Sequence, residues 1–336
     1  MSCTSAPGHD GAPTSHFDGE TFQNTEPMDF SPTRMFRFGW GALTEASSWP
    51  KWIEYEQQAV PSERISEEIS VTFINHASFL IQVDGLNILT DPVYSERASP
   101  FSFAGPKRVH APGVAMEDLP PIDVILISHN HYDHLDESTL RQLLALQEEP
   151  PLLLAGLGNE ALLGELGDSA LYDLDWEEGI EHEGVEFIFT ECRHRSGRGI
   201  TDQMKTLWGS FVIKTSRGSI YFAGDTGYSR HLQEAGDRHG PFALSLLPIG
   251  AYEPRWLMKN VHLNPDDAVK AHLELKSDYS IGIHFGTFQL TYEAIDQPVA
   301  DLLVALEEHG VDERYFDVMT PGETRIVPTA AQLAQQ

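Results

Sequence analysis

The sequence predicts an α+β fold in which two β-sheets pack face to face with helices outside. Two observations carry this expectation. Apolar runs of strand length recur in both halves of the chain, at 69–74, 79–83, 86–90 and 124–128, then at 185–190, 210–215, 220–223, 244–247 and 280–283. Only a few helical patterns separate or follow them, and many strands with few helices in each half form layered sheets covered by helices.

The elements follow in order. Asp84-Gly85 between the runs 79–83 and 86–90 is a hairpin signal, so antiparallel strands open the fold. The run 124–128 is continuously apolar, as expected of a strand covered on both faces, and it delivers the chain into His129. A helix is expected from Asp136, with Leu140, Leu143 and Leu144 on one face. In the second half Asn264 reads as a helix N-cap with Pro265 at the first helical position, and a last helix over 298–309 stops at Gly310.

Residues 1–30 are rich in Ser, Thr, Pro, Gly and Asp, the composition of a flexible tail. Residues 31–68 gather Phe36, Phe38, Trp40, Trp49, Trp52 and Tyr55 and are expected to pack on the body. Residues 69–330 show no repeat or linker and form one domain.

The chain has 336 residues, with 22 Lys and Arg against 51 Asp and Glu, for a formal charge of −29. That balance argues against nucleic acid or an anionic membrane as partner, because both are bound by surplus basic side chains. With 41% hydrophobic residues the chain has ample material for a core, which excludes wholesale disorder. Cys3 and Cys192 make no disulfide framework. Residues 1–19 lack a basic and then apolar leader pattern, and no stretch approaches about 18 apolar residues, so a cytoplasmic protein without a transmembrane segment is expected. Peripheral membrane contact and an oligomer stay open.

The strongest chemical signal is Ser128-His129-Asn130-His131-Tyr132-Asp133-His134, where an apolar strand ends and a helix is about to begin. Four metal-ligand side chains fall within six residues, and in extended chain the i, i+2 spacing turns His129 and His131 to the same side. Imidazole and carboxylate suit Zn²⁺, and the same donors accept manganese or iron. A metal pair needs further ligands, and His194, Asp225 and His284 each stand at or just beyond a strand end.

The pattern His129, His131, Asp133, His134 resembles the HxHxDH motif of the metallo-β-lactamase superfamily. Within it the chain is most similar to the N-acyl-phosphatidylethanolamine-hydrolysing phospholipase D branch, in its bacterial form. That resemblance rests on Thr90-Asp91-Pro92, Gly105-Pro106-Lys107-Arg108, the segments 119–123 and 127–135, Leu207-Trp208-Gly209-Ser210, and the segments 222–228 and 249–256. It spans about Val71 to Thr287, most of the folded body.

The resemblance implies an αββα sandwich over 69–330 that holds two Zn²⁺ ions at one edge. It implies that His129, His131 and His194 hold the first ion, that Asp133, His134 and His284 hold the second, and that Asp225 bridges them. It further implies a metal-dependent hydrolase that cleaves a phosphodiester of a small molecule or phospholipid. Asp133 or His284 would orient the nucleophile, and His262 would line the site and protonate the leaving group. The chain departs from the branch at Asn75-His76-Ala77-Ser78, at Val261 and in the loop 195–199, which bears on substrate choice. Arg198 in that loop reads either as a phosphate contact or as an exposed, solvated side chain. A zinc-dependent lactonase or other ester hydrolase would use the same centre, and a metal-binding protein without turnover is the alternative of a different class.

Overall fold

The computed structural model describes residues 6–28, 31–60, 64–167 and 169–335. Cys3 and residues 1–5, 29 and 30 of the expected tail lie outside them.

Six strands come first: β1 (Ser70–Asn75), β2 (Ser78–Val83), β3 (Leu86–Thr90), β4 (Val124–Ile127), β5 (Leu152–Gly156) and β6 (Ala170–Leu174). Seven more follow: β7 (Glu178–His182), β8 (Val185–Thr190), β9 (Ser210–Thr215), β10 (Gly218–Phe222), β11 (Phe242–Pro248), β12 (Ser280–Ile283) and β13 (Phe316–Val318). The last strand, β14 (Thr324–Ile326), crosses back to pair with β1, giving sheet orders β14-β1-β2-β3-β4-β5-β6 and β13-β12-β11-β10-β9-β8-β7. The β2–β3 hairpin turns at Asp84 and Gly85, both at positive φ, as the Asp-Gly pair predicts.

The helices are α1 (Pro32–Thr44), α2 (Glu137–Leu146), α3 (Glu160–Leu163), α4 (His231–Arg238), α5 (Arg255–Met258), α6 (Pro265–Glu274), α7 (Gln297–His309) and α8 (Ala330–Leu333). Asp136 caps α2 through its carboxylate, Asn264 caps α6 by accepting from the Asp267 N–H, and Gly310 ends α7 at φ 65°. Between the sheets lies a core that includes Phe73, Phe79, Phe187, Trp208, Phe211 and Phe222. A second cluster covers the outer face of the first sheet with Leu140 and Leu143 of α2, and a third places Ala268, Val269 and Leu302 of α6 and α7 against the other sheet. This is the αββα sandwich.

The N-terminal stretch differs from a flexible tail. Phe17 and Phe22 are buried with ring centroids 4.6 Å apart and join the central core. Backbone bonds from His9 to Lys205 and from Phe22 to Met204 tie residues 6–28 to the body. Two well-spaced aromatics outweigh a polar composition, because each large ring contributes more burial than several small polar residues oppose. The aromatic segment divides. Phe38 stacks on Tyr292, whereas Phe36, Trp40 and Leu43 of α1 are 77, 64 and 84% exposed.

Candidate metal centre

Strand ends from both sheets deliver the candidate ligands to one edge of the sandwich. β4 runs into His129–His134, β8 leads to His194, β10 to Asp225 and β12 directly into His284. His284, His76 in the β1–β2 turn and Asp91 after β3 all hold positive φ, so local backbone strain collects where these side chains converge. Gly224, at φ 57°, precedes Asp225, and a Cβ there would stand 2.5 Å from the Ser128 side chain. Only glycine lets the two strand ends approach this closely.

Among the described residues, three overlapping groups of donor atoms result, each with all atoms within 4.8 Å of one another. They are His129, His131, His194 and Asp225; His76, Asp133, His134 and His284; and Asp225, His262 and His284. Asp225 connects them. Its Oδ2 lies 3.6 Å from His194 Nε2, 3.9 Å from His129 Nε2, 3.3 Å from His134 Nε2 and 3.8 Å from His262 Nδ1. Its Oδ1 lies 3.1 Å from His284 Nε2, yet neither atom is aligned for a hydrogen bond.

Neighbours fix which ring nitrogen faces inward. His194 Nδ1 donates to Val261 O at 2.9 Å, which leaves Nε2 toward Asp225. His134 Nδ1 lies 2.6 Å from Asp91 Oδ2, and Ser128 donates to the same carboxylate from its N–H and its hydroxyl. A carboxylate or carbonyl behind the imidazole is the usual support for a metal-binding histidine. The inward atoms His134 Nε2, His262 Nδ1 and His284 Nε2 are buried without a hydrogen-bond partner, which a divalent cation would satisfy.

The electrostatics fit a cation too. Burial, then neighbouring imidazoles, hold His129 and His131 well below the usual histidine range. Burial alone would raise Asp225 and Asp133, but His134 and the other surrounding histidines hold both carboxylates well below their usual range. Burial opposes charge on His134, yet Asp225, Asp133 and Asp91 together push it well above its ordinary value. Burial thus holds His129, His131 and His194 neutral, while the buried carboxylates hold His134 and His284 charged, the latter raised to about 9; positive charge is drawn to the atoms where a cation would take the place of these protons.

The structure thus brings together every residue expected from the sequence: His129, His131, Asp133, His134, His194, Asp225, His262 and His284. It adds two that sequence reasoning passed over. His76 was read only as part of a departing turn, and Asp91 only as part of a motif; the spacing in sequence gives no sign that either faces His134. Arg198 is neither exposed nor free to solvate. It is buried, lies over the Tyr132 ring at 3.9 Å, and donates to Asn130 O, Leu135 O and the Glu137 carboxylate. Its guanidinium therefore staples both ends of the 130–135 loop.

Residues 86–285 match the beta-lactamase superfamily domain. The chain belongs to the metallo-β-lactamase superfamily. This superfamily member is 37% identical over 267 residues to a Mycobacterium bovis protein known only as uncharacterized, covering 79% of this chain and 70% of that one. It is also 37% identical over 228 residues to N-acyl-phosphatidylethanolamine-hydrolyzing phospholipase D 1 of Caenorhabditis elegans, covering 65% of this chain and 64% of that protein, just under two thirds of its length. Among solved structures, a metallo hydrolase of Ignicoccus hospitalis superposes with a TM-score of 0.56 at 20% identity, over 76% of this chain and 97% of that one, and shares the fold. The superfamily member is a metal-dependent hydrolase, and its clustered His and Asp side chains form candidate sites for a divalent cation.

Proposed function

We propose that this hydrolase cleaves a phosphodiester at a pair of zinc ions, with phospholipase D-type release of the head group of an N-acylated phosphatidylethanolamine as its reaction. The observation that supports this reading is that Asp225 stands in one donor group with His129, His131 and His194 and in another with His262 and His284, with its Oδ2 3.3 Å from His134 Nε2, as a carboxylate shared by two neighbouring cations would require. In this reading His129, His131 and His194 would hold one ion and Asp133, His134 and His284 the other, with Asp225 available to both. Such cations would supply Lewis acidity and would lower the pKa of water to near 7.

The chain's own residues do the rest. Asp133 and His284 orient the attacking oxygen, their reacting atoms 3.4 Å apart across the site. His262 hydrogen-bonds the departing alkoxide oxygen; its Nδ1 has no partner within the protein and lies 3.8 Å from Asp225 Oδ2. Asp91 and Val261 O hold the imidazoles of His134 and His194 in the orientation this needs. The apolar stripe Phe36, Trp40 and Leu43 on α1 supports a lipid substrate, since α1 packs through Phe38 beside Val261, next to His262.

The test is turnover of a phosphodiester reporter, abolished by chelator and restored by Zn²⁺, with manganese and iron compared. N-acyl-phosphatidylethanolamine vesicles should then release N-acylethanolamine. Restoration that favours a lactone or carboxylic ester over the phosphodiester would reassign the chemistry, and no turnover of any ester with both ions bound would leave only metal binding.

A further inference from the structure

Beside the metal centre the N-terminal stretch closes a cavity of about 500 Å³, within the size range of small-molecule sites. Its walls come from two segments: Gln23, Asn24, Glu26, Pro27 and Met28 on one side, and Arg195, Gln203 and Met204 on the other. Asn24 also reaches the metal centre's own backbone. Its Oδ1 accepts from the His194 N–H at 3.1 Å and its Nδ2 donates to His194 O at 2.8 Å. Both backbone groups of one proposed ligand are thus held by a single side chain from a segment 170 residues away.

Most of the polar groups of the wall bond within the protein. Gln203 accepts from Arg195 at 3.0 Å and donates to Gly199 O, Gln23 donates to Asp18, both ends of Asn24 are used on His194 with a further donation to Met28 Sδ at 3.5 Å, and the Glu26 carboxylate lies 3.5 Å from Arg193. The apolar surface the cavity offers a ligand is that of the Met28 and Met204 side chains and the Pro27 ring. Thioether side chains adapt to flexible alkyl groups. Arg195 supplies a positive charge at the same wall, close enough to press on both His131 and His194.

We propose that this cavity receives the apolar arm of the substrate's anionic phosphoester, with the N-terminal segment as its wall and Asn24 as the residue that positions His194 against it. This rests on the phosphodiesterase reading and adds where the substrate is selected. The segment that composition assigned to a tail then contributes to the substrate site as well as to the core.

The experiment uses the zinc-loaded full chain and two probes, dodecyl phosphate and methyl phosphate, followed by calorimetry below the micellar concentration of the first. Wild type should bind dodecyl phosphate at least about tenfold tighter than methyl phosphate. Met28→Gln and Met204→Gln should reduce that preference to under about threefold while leaving methyl phosphate binding unchanged. Equal binding of the two probes by wild type, or an unaltered preference in both variants, overturns the proposal. Asn24→Ala should lose zinc to a competing chelator at about tenfold lower chelator concentration with the metal-free melting temperature unchanged, and Asn24→Asp, which keeps the acceptor, should recover part of the loss. Wild-type zinc retention in a folded Asn24→Ala protein removes the positioning role. A chain that shows the expected probe preference but turns over no phosphodiester overturns the functional reading and leaves the cavity assignment standing.

Discussion

His76 Nε2 lies 3.2 Å from Asp133 Oδ2, and the His76 ring sits with its centroid 3.9 Å from that of His284. One side chain therefore contacts two members of the same donor group. Supports of this kind are worth roughly 10- to 100-fold in metal affinity. His76→Ala is expected to weaken binding of one of two zinc equivalents by about that factor in competition with a chromophoric chelator. Two equivalents bound with wild-type affinity would remove His76 from the centre.

Asp225→Asn keeps the shape and an oxygen donor but removes the charge shared by both sites. The variant is expected to bind one equivalent weakly or not at all, and phosphodiester turnover should drop by orders of magnitude. His309→Ala is the control, since His309 Nε2 lies 2.7 Å from Asp266 Oδ1 on α6, a helix-to-helix contact outside the donor groups. Elemental analysis and reporter kinetics on both proteins decide it, and an Asp225→Asn protein with two tight equivalents refutes the shared-ligand assignment.

Burial lowers the His272 imidazole to about 4, with Nδ1 2.8 Å from Ser280 Oγ. The unfolded chain takes up this proton near pH 6.5, whereas the folded protein stays neutral to about pH 4. The unfolded state binds more protons in that window, so stability present above pH 6.5 is lost as the pH falls through it. The loss attributable to this residue is at most about 3.5 kcal/mol, from about 1.4 kcal/mol per pH unit over the interval from 6.5 to about 4. Urea midpoints for wild type and His272→Gln at several pH values between 7.5 and 4.5 should converge towards acid; parallel curves would contradict this.

A formal charge of −29 repels itself in the compact state, and only 7 of the 22 basic residues are lysine. Screening should therefore raise the melting temperature between low and molar KCl. We infer adaptation to a salt-rich milieu, which a flat dependence on KCl would contradict.

The exposed stripe on α1 has its own test. The triple variant Phe36→Ser, Trp40→Ser, Leu43→Ser should stay folded, because these side chains are at least 64% exposed, and should lose sedimentation with zwitterionic phosphatidylcholine vesicles. Wild-type protein that fails to sediment with any vesicle would end this reading.

The donor set was legible because each member ends an apolar run, and His129–His134 packs its donors into a single turn after β4. Asp91 and His76 were not, since what qualifies them is a contact across strands that no local spacing reports. β6 and β7 carry polar and charged side chains, so their apolar signal is weak, whereas β5, Leu152–Gly156, is a short apolar run directly after Pro150-Pro151 that periodicity does not separate from a buried helix. The tail was misjudged because composition averages over residues, whereas Phe17 and Phe22 act individually once a complementary surface exists.

β14 pairs with β1, and the His9 and Phe22 amides bond to the loop at 204–205. Residues 9 and 22 and strand β1 thus wait for partners made much later in the chain. β1 keeps an open edge until residue 326 has been synthesised, and the N-terminal strap has nowhere to dock until residue 205 has appeared. A nascent chain stalled before residue 284 would leave the β1 edge unpaired and would lack a histidine at the metal edge, so the metal centre is completed late in synthesis.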